Sequence, residues 1–90
     1  MAVEVQIPTI LRTYTDGAKT VTGSGDTLAA LVAELDSHHP GIGERLVDGA
    51  ELRKFVNVYL NDEDVRFLDG LDTSVADGDV VTILPAVAGG

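Results

Sequence analysis

Residues 77–90 read DGDVVTILPAVAGG. Asp77-Gly78 is a tight-turn signal. Val80 to Leu84 then reads as a strand, the last in the chain. Pro85 follows it; proline fixes φ and has no N–H to give to a sheet ladder. What remains is a short segment ending in Gly89-Gly90. A glycine pair makes a poor last turn for any helix or strand, since glycine loses the most backbone freedom on ordering. A final strand in this position has to find its partners among strands laid down earlier, so the rest of the chain decides what it joins.

Working outward, Val3, Val5 and Ile7 alternate with Glu4 and Gln6, a half-buried strand of period two that Pro8 ends. A loop of polar and small residues is expected through Thr15, Asp16 and Gly17. Lys19 to Thr22 reads as a second strand, hairpinned to the first. In SGDTLAALVAELDSHHPG, Leu28, Leu31, Val32 and Leu35 fall at i, i+3, i+4 and i+7, the single apolar stripe of a helix. Asp26 or Thr27 can cap its start, and Pro40-Gly41 stops it. A short second helical turn with Ile42, Leu46 and Val47 inward follows, then a loop over Asp48 to Glu51. FVNVYLN is a strand, with Val56, Val58 and Leu60 on one face and Phe55, Asn57 and Tyr59 on the other. NDED is expected to be a turn and VRF a short strand, before the turn-rich LDGLDTSVADGD. Strand, strand, helix, strand, short strand, strand is an α+β order in which the one helix covers one face of a mixed sheet. It suits a β-grasp, with the last strand beside the first.

Composition bounds the function. Ninety residues with 44% hydrophobic content make one folded domain with a small core. Net charge is −9 and no basic patch is present, which disfavours nucleic acid and anionic membrane as partners and suits either a basic protein surface or plain solubility. No apolar run approaches membrane-spanning length, and MAVEVQIP is not a signal peptide, so a cytoplasmic protein is expected. With no cysteine, thiolate catalysis, zinc–thiolate and iron–sulfur ligation, and disulfides, are all unavailable.

The side chains offer little chemistry. His38 and His39 are adjacent, point in different directions on a helix, and have no third ligand near in sequence; cations at a helix C-terminus are favoured by its dipole. Asp62-Glu63-Asp64 lacks the spacing of a calcium loop. Gly23-Ser24-Gly25 lacks the lysine and spacing of a phosphate loop. Two histidines at one helix end make no Ser–His–Asp site. Neither a metal site nor a cofactor site is therefore expected, and the C-terminal segment is the strongest candidate functional feature.

VEVQIPTILR at the start, VNVYLNDEDVRF in the middle and DGDVVTILPAVAGG at the end together resemble the ubiquitin-like sulfur carriers of the MoaD/ThiS family. IPTILR and ILPAVAGG resemble, within that family, the carriers of an actinobacterial cysteine pathway. The resemblance covers the whole chain and implies a β-grasp domain over 1–84 with a flexible tail over 85–90. It implies a protein co-substrate rather than an enzyme, monomeric when free. The Gly90 carboxylate would be adenylated with ATP by a MoeB/ThiF-type enzyme and converted to a thiocarboxylate by a sulfurtransferase or sulfide donor. A CysM-like pyridoxal-phosphate cysteine synthase would use that sulfur, and a JAMM-type zinc peptidase would release cysteine. ATP, zinc and pyridoxal phosphate then belong to the partners, and this chain binds no cofactor itself.

On the same resemblance, Val81 and Ile83 are the buried face of the last strand. Leu84, Pro85, Ala86, Val87 and Ala88 are partner contacts, with Leu84 and Val87 exposed and apolar; a core position is the competing placement for Leu84. Gly89 and Gly90 lack side chains, so the end can thread a narrow channel and the terminal carbonyl stays open to attack. Extended, residues 85–90 reach about 20 Å. Residues from Ala86 onward are expected to be mobile in the free protein. Other sulfur acceptors (molybdopterin, thiazole, thiolated tRNA, a secondary metabolite), a modifier forming isopeptide bonds to lysines, and an interaction domain with an idle tail are the alternatives.

Overall fold

The structure, a computed structural model, describes residues 2–49, 51–53 and 56–85. Strand β1, Val3–Gln6, alternates as its sequence requires, with Val3 and Val5 buried and Glu4 and Gln6 exposed. Strand β2, Thr20–Gly23, pairs with it antiparallel, from Val3 opposite Gly23 to Gln6 opposite Thr20. The connection is not an open loop. Thr9–Thr15 winds into a 3-10 helix that buries Leu11 and Thr15. Its run of β-branched residues carries no helical stripe, so only burial against the core selects the helix. Thr15 Oγ1 donates to the Ala18 carbonyl at 2.9 Å, and Asp16-Gly17, both at positive φ, makes the expected turn.

Helix α1, Leu28–His38, begins at Thr27, whose Oγ1 accepts the Ala30 N–H at 3.2 Å; of the two expected caps, Thr27 is the one used. Leu28, Leu31, Val32 and Leu35 are all buried. Fully burying such a side chain contributes about 1.5–3 kcal/mol, so this stripe is what holds the helix on the sheet. The chain turns at Gly41, where φ is 98° and a Cβ would lie 2.9 Å from the Tyr14 ring; conformation and space both require glycine. Helix α2, Ile42–Leu46, follows and buries Ile42 and Leu46. Asp36 of α1 joins the two helices, its Oδ1 accepting the Gly41 and Gly43 N–H groups at 3.1 and 2.9 Å. On α2, Arg45 donates to the Tyr14 hydroxyl at 2.7 Å, a bond that raises the guanidinium pKa further above its usual value.

Two further segments depart from the expected elements. Val47–Asp48 (β3) and Glu51–Leu52 (β4) pair as a two-stranded antiparallel sheet, where Val47 was expected in the second helical turn and Asp48 to Glu51 as a loop. Two-residue strands are too short to show a period. After β5, Val56–Leu60, the turn is confined to Asn61 and Asp62, at φ 49° and 75°. Glu63–Asp64 is then the short strand, β6, and VRF is a 3-10 turn rather than a strand. Asp64 imposes that turn by accepting the Arg66 N–H at 2.9 Å, the bond of a helix cap. In β5, Val56 and Val58 are buried and Leu60 packs half-buried against the core; Phe55 lies outside the described residues.

Strand β7, Val80–Pro85, completes the sheet in the order β2-β1-β7-β5-β6. It runs parallel to β1 and antiparallel to β5, so the last strand lies between β1 and β5, as the β-grasp requires. Helix α1 packs on one face of this mixed sheet, the ubiquitin-like β-grasp. Among the described residues, no helix is long and apolar enough to cross a membrane.

Candidate functional site at the end of the central strand

The site is built by how β7 is held. At its start, Asp79 Oδ2 accepts the Ala76 N–H at 2.8 Å and its Oδ1 accepts Asn61 Nδ2 at 3.1 Å. Asn61 Oδ1 accepts the Val80 N–H at 3.0 Å, and its backbone N–H donates to the Val80 carbonyl at 2.9 Å. The Asp79 carbonyl accepts the Glu4 N–H at 3.0 Å. The left-handed turn at Asn61 and the Asp77-Gly78 turn therefore converge on one short polar cluster, and β7 starts from a fixed point.

Alternation does the rest. Val81 and Ile83 point into the core at 1% and 2% exposure; Thr82 and Leu84 point to the other face, and Leu84 is 44% exposed. Leu84 is therefore a surface residue, and the competing core placement fails. Pro85 is exposed, at the last position of β7, opposite Val56. Because Asn61 N–H bonds to Val80 O, the hydrogen-bonded pairs between β5 and β7 fall at every second position, ending with Asn57 opposite Leu84. Val56 opposite Pro85 is a non-bonded pair, so the N–H that proline lacks would point toward the β1 side. There, β1 has already ended, its last partner in β7 being Thr82. Proline at this position costs the sheet no bond.

Around this strand end lies a shallow apolar depression lined by Ile7, Pro8, Ile10, Leu84 and Pro85, with Arg12 and Lys19 at its margin. Ile10 is 64% exposed. Thr82 Oγ1 donates to Gln6 Oε1 at 3.2 Å, and Arg12 Nε donates to the Ile7 carbonyl at 3.1 Å, which ties the cation to the end of β1. Ile10, Arg12 and Lys19 were not singled out in the sequence. They lie some seventy positions from Leu84, and only the parallel pairing of β1 with β7 brings them together. An exposed-type loop carrying an unexplained isoleucine was the one available signal.

The remaining candidates are plainly placed. Ala86, Val87, Ala88, Gly89 and Gly90 lie outside the described residues, so the tail expected over 85–90 is seen only at Pro85. His38 Nε2 is 3.1 Å from Glu34 Oε1 across one helical turn, and the His39 backbone N–H closes α1 on the Leu35 carbonyl. Among the described residues, no group of three metal-ligating side chains converges. Asp62 is in the β5–β6 turn, with Glu63 and Asp64 in β6, and Gly23 ends β2.

Fold and site define a ubiquitin-like β-grasp domain whose central strand ends at the surface beside an apolar depression and leads into the C-terminal segment. The chain belongs to the ThiS family, whose family model matches residues 5–90. It is 59% identical over 93 residues to the sulfur carrier protein CysO of Mycobacterium tuberculosis, with all of both chains covered. It superposes with a TM-score of 0.94 on a chain of the crystal structure of the Amycolatopsis orientalis BexX/CysO complex, at 56% identity and covering 99% of this chain and 100% of that one. Over 66 residues it is 44% identical to the small archaeal modifier protein 3 of Haloferax volcanii, covering 73% of this chain and 67% of that protein.

Proposed function

We propose that this chain is a sulfur carrier of cysteine biosynthesis that bears its sulfur on the Gly90 carbonyl. The observation that carries this reading is the 59% identity to a sulfur carrier CysO over the full length of both chains. The exposed end of β7 is consistent with it, because a carrier must present its terminus clear of its own body.

The chemistry follows from the carboxylate. Ionised at neutral pH, it resists nucleophiles. A MoeB/ThiF-type enzyme transfers AMP from ATP to it, releasing pyrophosphate and leaving an acyl-adenylate. Sulfide, or sulfur from a protein persulfide with reduction of that persulfide, displaces AMP and leaves the thiocarboxylate. A CysM-like synthase would form an aminoacrylate from an activated serine, whose leaving group departs, and the thiocarboxylate sulfur would add to it. The thioester shifts from S to N, and a JAMM-type zinc peptidase hydrolyses the new amide to free cysteine and restore Gly90. ATP, zinc and pyridoxal phosphate belong to those enzymes, and the chain itself is a co-substrate. The reactions belong in the cytoplasm. Leu84 and Pro85, with Ala86, Val87 and Ala88, are the contacts the partners read.

Intact-mass measurement of the protein incubated with its activating enzyme, ATP and a sulfide source tests this. A sulfur-for-oxygen gain at the C-terminus is expected, and an added cysteine once the synthase and an activated serine are supplied. An unchanged mass with every component present would sink the reading. The identity to an archaeal modifier protein favours a second one, attachment of Gly90 to lysines of other proteins. Conjugates in lysate, lost with Gly90, would distinguish it.

A further inference from the structure

The sheet has a free edge at β2, the outermost strand in the order β2-β1-β7-β5-β6. The Ile7 N–H donates to the Lys19 carbonyl, so the hydrogen-bonded pairs of this hairpin are Ile7 with Lys19, Val5 with Val21 and Val3 with Gly23. Thr22, opposite Glu4, and Thr20, opposite Gln6, are the non-bonded pairs. The Glu4 N–H confirms the phase by turning the other way, to Asp79 O in the strand connection beside β7. The N–H and C=O groups of Thr20 and Thr22 therefore point out of the sheet's edge, about 7 Å apart along the strand. Such an edge is a template for one more strand, and β2 carries neither a proline nor a bulge to blunt it.

The edge also has a shaped flank. At Gly23 the strand touches α1; a Cβ there would lie 2.8 Å from Leu31 and 3.0 Å from Glu34. A groove opens between Val21 and the C-terminal turn of α1, with Glu34 and His38 on its wall; Glu4, out of phase with buried Val3 and Val5, lies on the other face of the sheet. Glu34 is fixed there, its Oε1 toward His38 and its Oε2 accepting the Ser24 N–H at 3.4 Å. Lys19 faces the other depression, beside Pro85.

We propose that the β2 edge is a second docking surface, which takes an extended, basic segment of a partner protein as an added strand. Thr20 and Thr22 supply the ladder bonds, Val21 receives a β-branched or aliphatic side chain, and Glu34, on the same face as Val21, attracts a flanking lysine or arginine. Charge complementarity selects this occupant. A second copy of the chain would bring its own Glu34 against the same carboxylate, on a protein of net charge −9. Of these residues Thr20 also borders the depression at the end of β7, while Val21, Thr22 and Glu34 do not line it.

The test uses the full-length protein and the peptide acetyl-KTVTVTK-amide, whose valines and lysines share one strand face, at low salt, followed by amide chemical shifts and hydrogen exchange. The control peptide acetyl-KPVPVPK-amide has the same charge and cannot pair as a strand. The first peptide should shift Thr20, Val21, Thr22 and Glu34 and slow exchange at the Thr20 and Thr22 amides, and the control should slow neither. Glu34→Lys should weaken binding about tenfold. Thr22→Pro removes one outward donor and should abolish the protection; should it fail to fold, the exchange pattern in the parent protein and Glu34→Lys still decide. Unchanged exchange at Thr20 and Thr22 under saturating peptide, equal binding of the proline peptide, or protection that grows with protein concentration alone would each overturn the proposal.

Discussion

Ile83 and Leu84 are neighbours of nearly equal hydrophobicity, and the central strand sends them to opposite fates. Ile83 is 2% exposed, packed with Val81, Val58 and Leu31 in the core under α1. Leu84 is 44% exposed, beside Ile10 and Pro85 on the face that the helix leaves open. The inner face is covered and its worth is measured in stability. The outer face is uncovered, and an aliphatic side chain left there gains nothing for the fold, which makes it available to a partner. One strand thus separates folding from recognition by a single step of the pleat.

Three substitutions and one deletion break or sharpen that separation. The largest effect is expected from Ile83→Asp. A charge without a partner in a core this small exceeds a stability margin of about 5–15 kcal/mol, so the protein should be unfolded by circular dichroism at room temperature. A folded Ile83→Asp would show that the inner face is less closed than it looks.

Removal of Gly90 should act in the opposite sense. Thiocarboxylate formation, read by intact mass, should be abolished while the melting temperature stays that of the parent. Normal sulfur loading of the shortened chain would place the chemistry elsewhere.

Leu84→Asp lies between these. The fold should hold, with stability changed by about 0.5 kcal/mol or less, as for other surface sites. Binding to the activating enzyme or the sulfur acceptor should weaken by about 10- to 100-fold, because the carboxylate would lose water in the contact without gaining a partner. Calorimetric titration reads the affinity and denaturant unfolding reads the stability. Normal affinity in a folded variant removes Leu84 from the interface; an unfolded variant denies that the two faces are separate.

The smallest effect is expected from Pro85→Ala. No ladder bond involves the missing N–H, so the change acts through the unfolded chain and should cost about 0.4–1 kcal/mol in denaturant unfolding. A gain in stability would mean that the strand prefers a donor at this position, contrary to the non-bonded pairing with Val56.

Much of the molecule was legible in the one-dimensional pattern. Period-two alternation marked Val3 and Val5 as the inward residues of a half-buried strand and put Val56 and Val58 on one face, and period 3.6 gave the buried stripe of α1, because each pattern is the direct imprint of a backbone repeat on one covered face. Turn and cap chemistry was equally local, as at Thr27 and at Asp16-Gly17. Order of elements was enough to expect the β-grasp, and resemblance marked Leu84 as exposed. Structures without a repeat were not legible. The 3-10 helix Thr9–Thr15, the β3–β4 pair and the 3-10 turn Val65–Phe67 are each selected by what they pack or bond against, which a short segment does not encode by itself.

The sequence by itself determined which residues are apolar and with what period, where the chain must turn, that none of the ninety residues carries a thiol, and that a proline and a glycine pair come after the last strand pattern. Only the tertiary structure decided what those elements meet. Parallel pairing of β1 with β7 put Ile10, Arg12 and Lys19 beside Leu84 and Pro85, and left the outward amides of Thr20 and Thr22 at a free edge. Local patterns record the face a residue presents, since that follows from its own φ and ψ. Which neighbour fills or spares that face depends on pairings between segments some seventy residues apart, and such pairings are fixed by the closure of the whole core.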